Sequence, residues 1–223
     1  MKKLLLSAIF SLLYITSASA DMGVNVGVSG QAGIFAASGK EELGTRVDGK
    51  GTEHGAATYG SVFAEFTMGD RLMVGVDFVP SALSTDTVES VRDAFQSSVT
   101  GATTTANAGG ENKIQIDFKD MTTAYVGLMV TENMYAKVGA VTVDVITNEN
   151  LATGSAYGNK SMDGTMFGLG YHNEMDNGVF FRFEGTYMDF DGVSATSTTD
   201  TNRKITLSNL DGVTGKISLG KSF

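Results

Sequence analysis

From Gly23 to Ala36 the even positions Val24, Val26, Val28, Ala32 and Ile34 are apolar, while Asn25, Gly27, Ser29 and Gln31 are not. A repeat of two puts neighbouring side chains on opposite faces of an extended strand, so this stretch reads as a strand with two unlike faces. The pattern returns near 58–68, 70–80, 113–130, 134–147, 164–172, 179–187 and 213–223, giving eight predicted strands. One phase carries Val62, Phe66, Val74, Val76, Val126, Leu128, Phe167, Leu169, Phe183, Ile217 and Leu219; the other carries Ser61, Glu65, Asp77, Thr123, Arg182, Glu184 and Lys216. In the fifth strand Lys137 and Asp144 fall in opposite phases, and a bulge there would place both on the polar face.

The connections alternate in length. Turn-forming residues make short links at Gly69-Asp70, Thr131-Glu132-Asn133 and Glu174 to Gly178. Long polar links are expected at about 37–56, 81–112, 148–162 and 191–203. Four long links at one end, three short turns at the other and both termini on the short side describe an antiparallel up-and-down meander. Closing such a sheet removes both edges, which hydrocarbon would otherwise leave without hydrogen-bond partners. The expected fold is therefore all-β, an eight-stranded antiparallel up-and-down transmembrane β-barrel with lipid on its apolar phase and the lumen on its polar phase. A soluble sandwich would bury the apolar phase instead.

Residues 1–20 begin with two lysines, continue as an apolar run from Leu4 to Ile15 and end in Ala18-Ser19-Ala20, the layout of a cleaved secretory signal. The barrel domain is then expected to span 21–223, with 14 bases against 25 acids, a net charge near −11. Such a balance disfavours nucleic acid. With no cysteine there is neither a disulfide nor a thiolate site.

The chain ends Leu219-Gly220-Lys221-Ser222-Phe223. In this ending and in its strand pattern it resembles the small eight-stranded outer-membrane barrels typified by the OmpA transmembrane domain, the OmpX and Ail group and the neisserial opacity proteins. The resemblance implies that Phe223, with Leu219, is the signal read by the barrel-assembly machinery and a membrane anchor. It also implies a bacterial outer-membrane location beside lipopolysaccharide, a monomer, and a structural or surface-interaction role in which the loops present an extracellular ligand site. Lys221 departs from the usual apolar residue at that place. With no tryptophan in the chain, Tyr135, Tyr171, Phe181 and Tyr187 are expected to form the interfacial girdles.

Glu65, Arg71, Asp77, Lys137, Arg182, Glu184 and Lys216 are expected to form a lumenal charge network, with Asp117 and Lys119 as additions. Eight strands enclose room only for side chains, and buried ions must pair. A narrow small-solute channel through these ions is the alternative function. A lipid A-modifying enzyme is the third, because some barrels of the resembled kind use histidine and serine; here His54 lies in the first long link and His172-Asn173-Glu174 lacks the serine, so no catalytic residue is assigned. Gly27, Gly30, Gly33, Gly168 and Gly170 read as space-savers in the lumen, and Asp189-Phe190-Asp191-Gly192 lacks the later ligands of a calcium loop, so neither metal nor cofactor is expected. In the second link Val88, Val91 and Phe95 have helical spacing, which predicts either a short amphipathic helix or a flexible loop. The four links hold 11 acids to 6 bases, so no polybasic patch for anionic glycans is expected; acidic tips would tolerate bridging divalent cations.

Overall fold

The computed structural model describes residues 22–80, 83–84, 88–92, 95–96, 106–107, 110–150 and 156–223. The expected signal segment 1–20 lies outside the described residues. Eight strands form the wall: β1 (Met22–Leu43), β2 (Arg46–Met68), β3 (Leu72–Val79), β4 (Gly110–Met129), β5 (Met134–Asn150), β6 (Lys160–Glu174), β7 (Val179–Phe190) and β8 (Arg203–Ser222). Each pairs antiparallel with the next, and β8 pairs back onto β1 from Asn25↔Ser222 to Leu43↔Arg203. The sheet is thus a closed eight-stranded barrel, and the described residues contain no helix.

The three predicted turns fall where expected, between β2 and β3, β4 and β5, and β6 and β7. Gly69 and Gly178 take φ of 59° and 78°, a left-handed conformation in which a Cβ would be strained. The chain's last residue is bonded into the seam: Val24 N–H donates to the Phe223 carbonyl at 3.0 Å, and Phe223 N–H donates to the Val24 carbonyl at 2.9 Å.

The wall is apolar outside. Ile34 is 67% exposed, Val138 58% and Val213 61%, and these values are typical of a ring that runs around all eight strands. In water so continuous a surface would drive aggregation; against acyl chains it is the solvated face. Outward glycines Gly30, Gly60, Gly185 and Gly215 leave a shallow groove of about 1020 Å³ in this face, bounded by Leu169, Phe183 and Ile217. Gly30 therefore faces outward and is not a lumenal space-saver. Gly170 is one: a Cβ there would overlap the Tyr135 ring.

The first long link is not a loop. β1 and β2 continue as a paired ribbon to a turn at Gly44-Thr45, where Gly44 has φ 61°. With β8 and the short strand Val193–Thr196 this ribbon forms a sheet that rises above the belt, here called the crown. β4 and β5 extend likewise, and Val88–Arg92 adds to β4 antiparallel, so where a short helix or a flexible loop is expected these residues form a strand. Residues 85–87, 93–94 and 97–99 of that stretch lie outside the described residues. β3 stops early, at Val79, because Pro80 has no N–H to give to the ladder.

The bulge expected in the fifth strand is in the fourth. β5 alternates without interruption, so Lys137 points inward and Asp144 sits on the outer face. Opposite it β4 inserts one residue between Lys119↔Asp144 and Thr122↔Thr142, at Asp120 with φ 52°, a left-handed conformation that Asp tolerates better than most residues. The extra residue flips the phase, so Phe118 packs against the inner cluster. Asp117 and Lys119 are thereby carried to the outer face, and the lumenal placement expected for them is corrected.

A lipid-facing wall makes one clear prediction. Val138→Arg, near the middle of the belt, should destabilise the vesicle-inserted protein by about 2–4 kcal/mol in urea unfolding. At an equally exposed site on a soluble protein the same change would be near neutral.

Candidate functional site

The inward phase of the strands places six charged groups in the half of the lumen nearest the short turns. They make three pairs: Arg182 with Glu65, Lys137 with Glu184, and Lys216 with Asp77. Three cations against three anions leave this layer neutral, which is what a low-dielectric interior demands.

Glu65 is the centre of the first pair and is 1% exposed. Arg182 grips it through both terminal nitrogens, with Nη1 at 2.9 Å from Oε2. Asn25 Nδ2 and the Tyr125 hydroxyl each donate to it at 2.8 Å. Every lone-pair direction of the carboxylate is thus occupied, the condition under which a buried ion is tolerated. The guanidinium lies 4.5 Å from the Phe180 ring centroid, adding a cation–π contact. Its remaining nitrogen, Nε, donates to His172 Nδ1 at 2.8 Å. His172 Nε2 is 3.6 Å from Glu174 at the mouth of the barrel.

The second pair is built alike. Lys137 Nζ is 2.7 Å from Glu184 Oε1, the Tyr135 hydroxyl donates to Oε2 at 2.7 Å and Thr186 donates at 2.9 Å. Lys137 also lies 4.4 Å from the Tyr125 ring centroid, tying the two pairs together. Above the ions, toward the crown, the filling changes character. Val79, Met121, Val141, Val143, Met162, Met166, Met188, Phe190 and Leu210 form a buried apolar cluster with Tyr59 and Tyr125. Between the layers, beside Asp77, Lys137 and Lys216, the void is only about 10 Å³, no larger than one water molecule.

Two expected site residues lie elsewhere. Arg71 is exposed in the first turn, outside the network. Tyr135 is no girdle residue: it is 2% exposed and points inward, since it shares the phase of Lys137. Tyr171, Phe181 and Tyr187 do face outward, with Phe181 5.7 Å from Phe183 and 6.5 Å from Tyr171 by ring centroid. Leu219 and Phe223 also face outward, and the Lys221 ammonium donates to the Asn177 carbonyl in the last turn. Asn25, Phe63, Tyr125 and Phe180 were not among the expected site residues, yet all share the phase of the charges. That phase was the signal for them. His54 is exposed on the outer face of the crown, far from His172 at the opposite mouth. Of the run Asp189-Phe190-Asp191-Gly192, Asp189 is exposed on the outer face of β7 and Asp191 is exposed just past its end.

No protein-family model matches the sequence, and no curated protein matches it. Among solved structures it is similar to outer membrane protein OprG from Pseudomonas aeruginosa, with a TM-score of 0.54, 15% identity and coverage of 88% of this chain and 96% of that one. It is also similar to outer membrane protease OmpT from Escherichia coli, at TM-score 0.46 and 10% identity over 93% of this chain and 99% of that one. A third is the attachment invasion locus protein Ail of Yersinia pestis, at TM-score 0.39 and 14% identity over 88% and 99% of the two chains. The fold is that of bacterial outer-membrane barrels, and the apolar belt sets its wall in lipid.

Removing one member of a buried pair leaves the other uncompensated. Arg182→Ala should cost about 3–5 kcal/mol of unfolding free energy, and Glu65→Leu combined with Arg182→Met should recover most of it. A double-mutant cycle on the vesicle-inserted protein measures both.

Proposed function

We propose that this outer-membrane barrel is a closed, non-enzymatic protein that braces the envelope and offers its crown as the surface for interactions. The observation that carries the reading is the double filling of the lumen. An ion passing through would have to break three neutral pairs and then cross a buried, methionine-rich apolar layer. Either barrier alone is expensive for a hydrated ion; in series they oppose conduction by unlike means, since a group that relieves one does not relieve the other.

The reading also draws on the histidines. His172 has its Nδ1 engaged by Arg182, and His54 stands on the opposite end and face, so no nucleophile–base pair is assembled from them. The rigid wall with raised strands above it suits a protein whose contacts are made outside the membrane.

In planar bilayers the refolded chain is expected to stay silent, and Lys137→Gln with Glu184→Gln is expected to stay silent as well, because the apolar layer remains. Adding Met162→Gly, Met166→Gly and Met188→Gly should produce small conductance steps. Heat-modifiable gel migration checks that each variant is folded. Reproducible steps from the unaltered protein would replace this reading with a channel.

A further inference from the structure

β1 alternates without a break into the crown, so the face that carries Val28, Gly30, Ala32 and Ile34 in the belt carries Ser38, Lys40 and Glu42 above it. Register fixes their neighbours. Lys40 is directly opposite Lys50 on β2 and Thr206 on β8, and Glu42 is opposite Lys204. Ser38 and Thr52 are paired at 2.9 Å, as are Ser194 and Thr206, and in each hydroxyl pair one hydrogen remains to donate outward.

All three lysines are exposed. Among the described side chains of this crown face the one carboxylate is Glu42, 3.0 Å from Lys40 Nζ. Glu41 is on the other face, bonded to Arg203 at 2.9 Å. The count of 11 acids to 6 bases over the four links does not describe this face, and Lys204 lies just past the last of them. Two lysines directly opposite each other repel, and an anion between them relieves the repulsion.

Position says what that anion is. Lys40 is six residues beyond Ile34, about 20 Å along a strand and, at a tilt of about 40°, on the order of 15 Å above the belt. That is the saccharide layer of the outer leaflet, and the face looks sideways into it. Asp189 and Asp211, opposite each other at the upper edge of the belt, lie about 13 Å further down the strand from Lys40, beyond a screening length of about 8 Å.

We propose that Lys40, Lys50 and Lys204, with the hydroxyls of Ser38, Thr52 and Thr206, bind the phosphorylated saccharide core of the glycolipid beside the barrel. Ammonium groups meet the phosphates as point charges and the hydroxyls donate to phosphate and sugar oxygens. The binding is independent of whether the lumen conducts, so bilayer currents would remove the brace and leave this site standing.

The test uses the refolded full chain in vesicles containing either lipopolysaccharide with a phosphorylated inner core or a glycolipid ending at lipid A. The core-bearing lipid should raise the thermal midpoint above that in the lipid A-only vesicles, and high salt should erase the gain. K40Q/K50Q/K204Q should lose the gain and bind core-bearing lipid at least tenfold more weakly, while K119Q/K221Q should keep both. Gel migration verifies folding. An unchanged gain in the triple variant, or equal midpoints of the unaltered protein in the two lipids, overturns the proposal. So does binding of a soluble sulfated polysaccharide through the three lysines with no response to the core, which would assign the patch to a polyanion in the medium.

Discussion

A backbone in hydrocarbon has nowhere to place its N–H and C=O groups except on itself, and the pairing of β8 with β1 is what satisfies the last of them. The other features of the molecule follow from that closure. Once the sheet is a cylinder of eight strands its interior is a fixed, narrow volume, and the side chains on the inward phase must fill it whatever their polarity. Charges are admitted because they meet opposite charges there. The outward phase is then free to be apolar at every position, which is why Ile34, Val138 and Val213 are more exposed than Glu65.

Much of this was legible because both signals, alternation and link length, are local. Glu65, Arg182 and Glu184 could be assigned to the lumen from phase alone, and the three turns from Gly, Asp and Asn. Phase also contained Tyr135, but a preference for tyrosine at interfaces outweighed the two-residue spacing to Lys137. Arg71 was misplaced for a different reason: at the last position of a turn, alternation has not yet begun. The bulge at Asp120 left no sequence mark that period-two reading could detect, because Phe118 and Val126 look like one continuous phase until a partner strand shows the skipped residue. The crown was hidden by composition, since glycine, serine and lysine read as loop although their alternation persists.

The two layers of the lumen divide the work of filling it. Where pairs of strands bring opposite charges together, tyrosines and threonines complete the ions' hydrogen bonds. Where no charges meet, Met162, Met166 and Met188 take over, and unbranched, flexible side chains suit a cavity whose shape is set by the wall rather than by the filling. Phe63 and Phe180 do the same near the short turns, close above Gly27 and Gly220, which have no side chain to compete for the space.

The extra residue at Asp120 imposes a rule of parity on β4. Between that point and the turn at 130–133 the number of residues can change only in twos if Thr123 and Tyr125 are to stay inside. Beyond it, one further inserted residue would return Asp117 and Lys119 to the inside and turn Phe118 out. Length drift in this strand is therefore quantised, and divergent sequences built on the same wall should differ there by even steps.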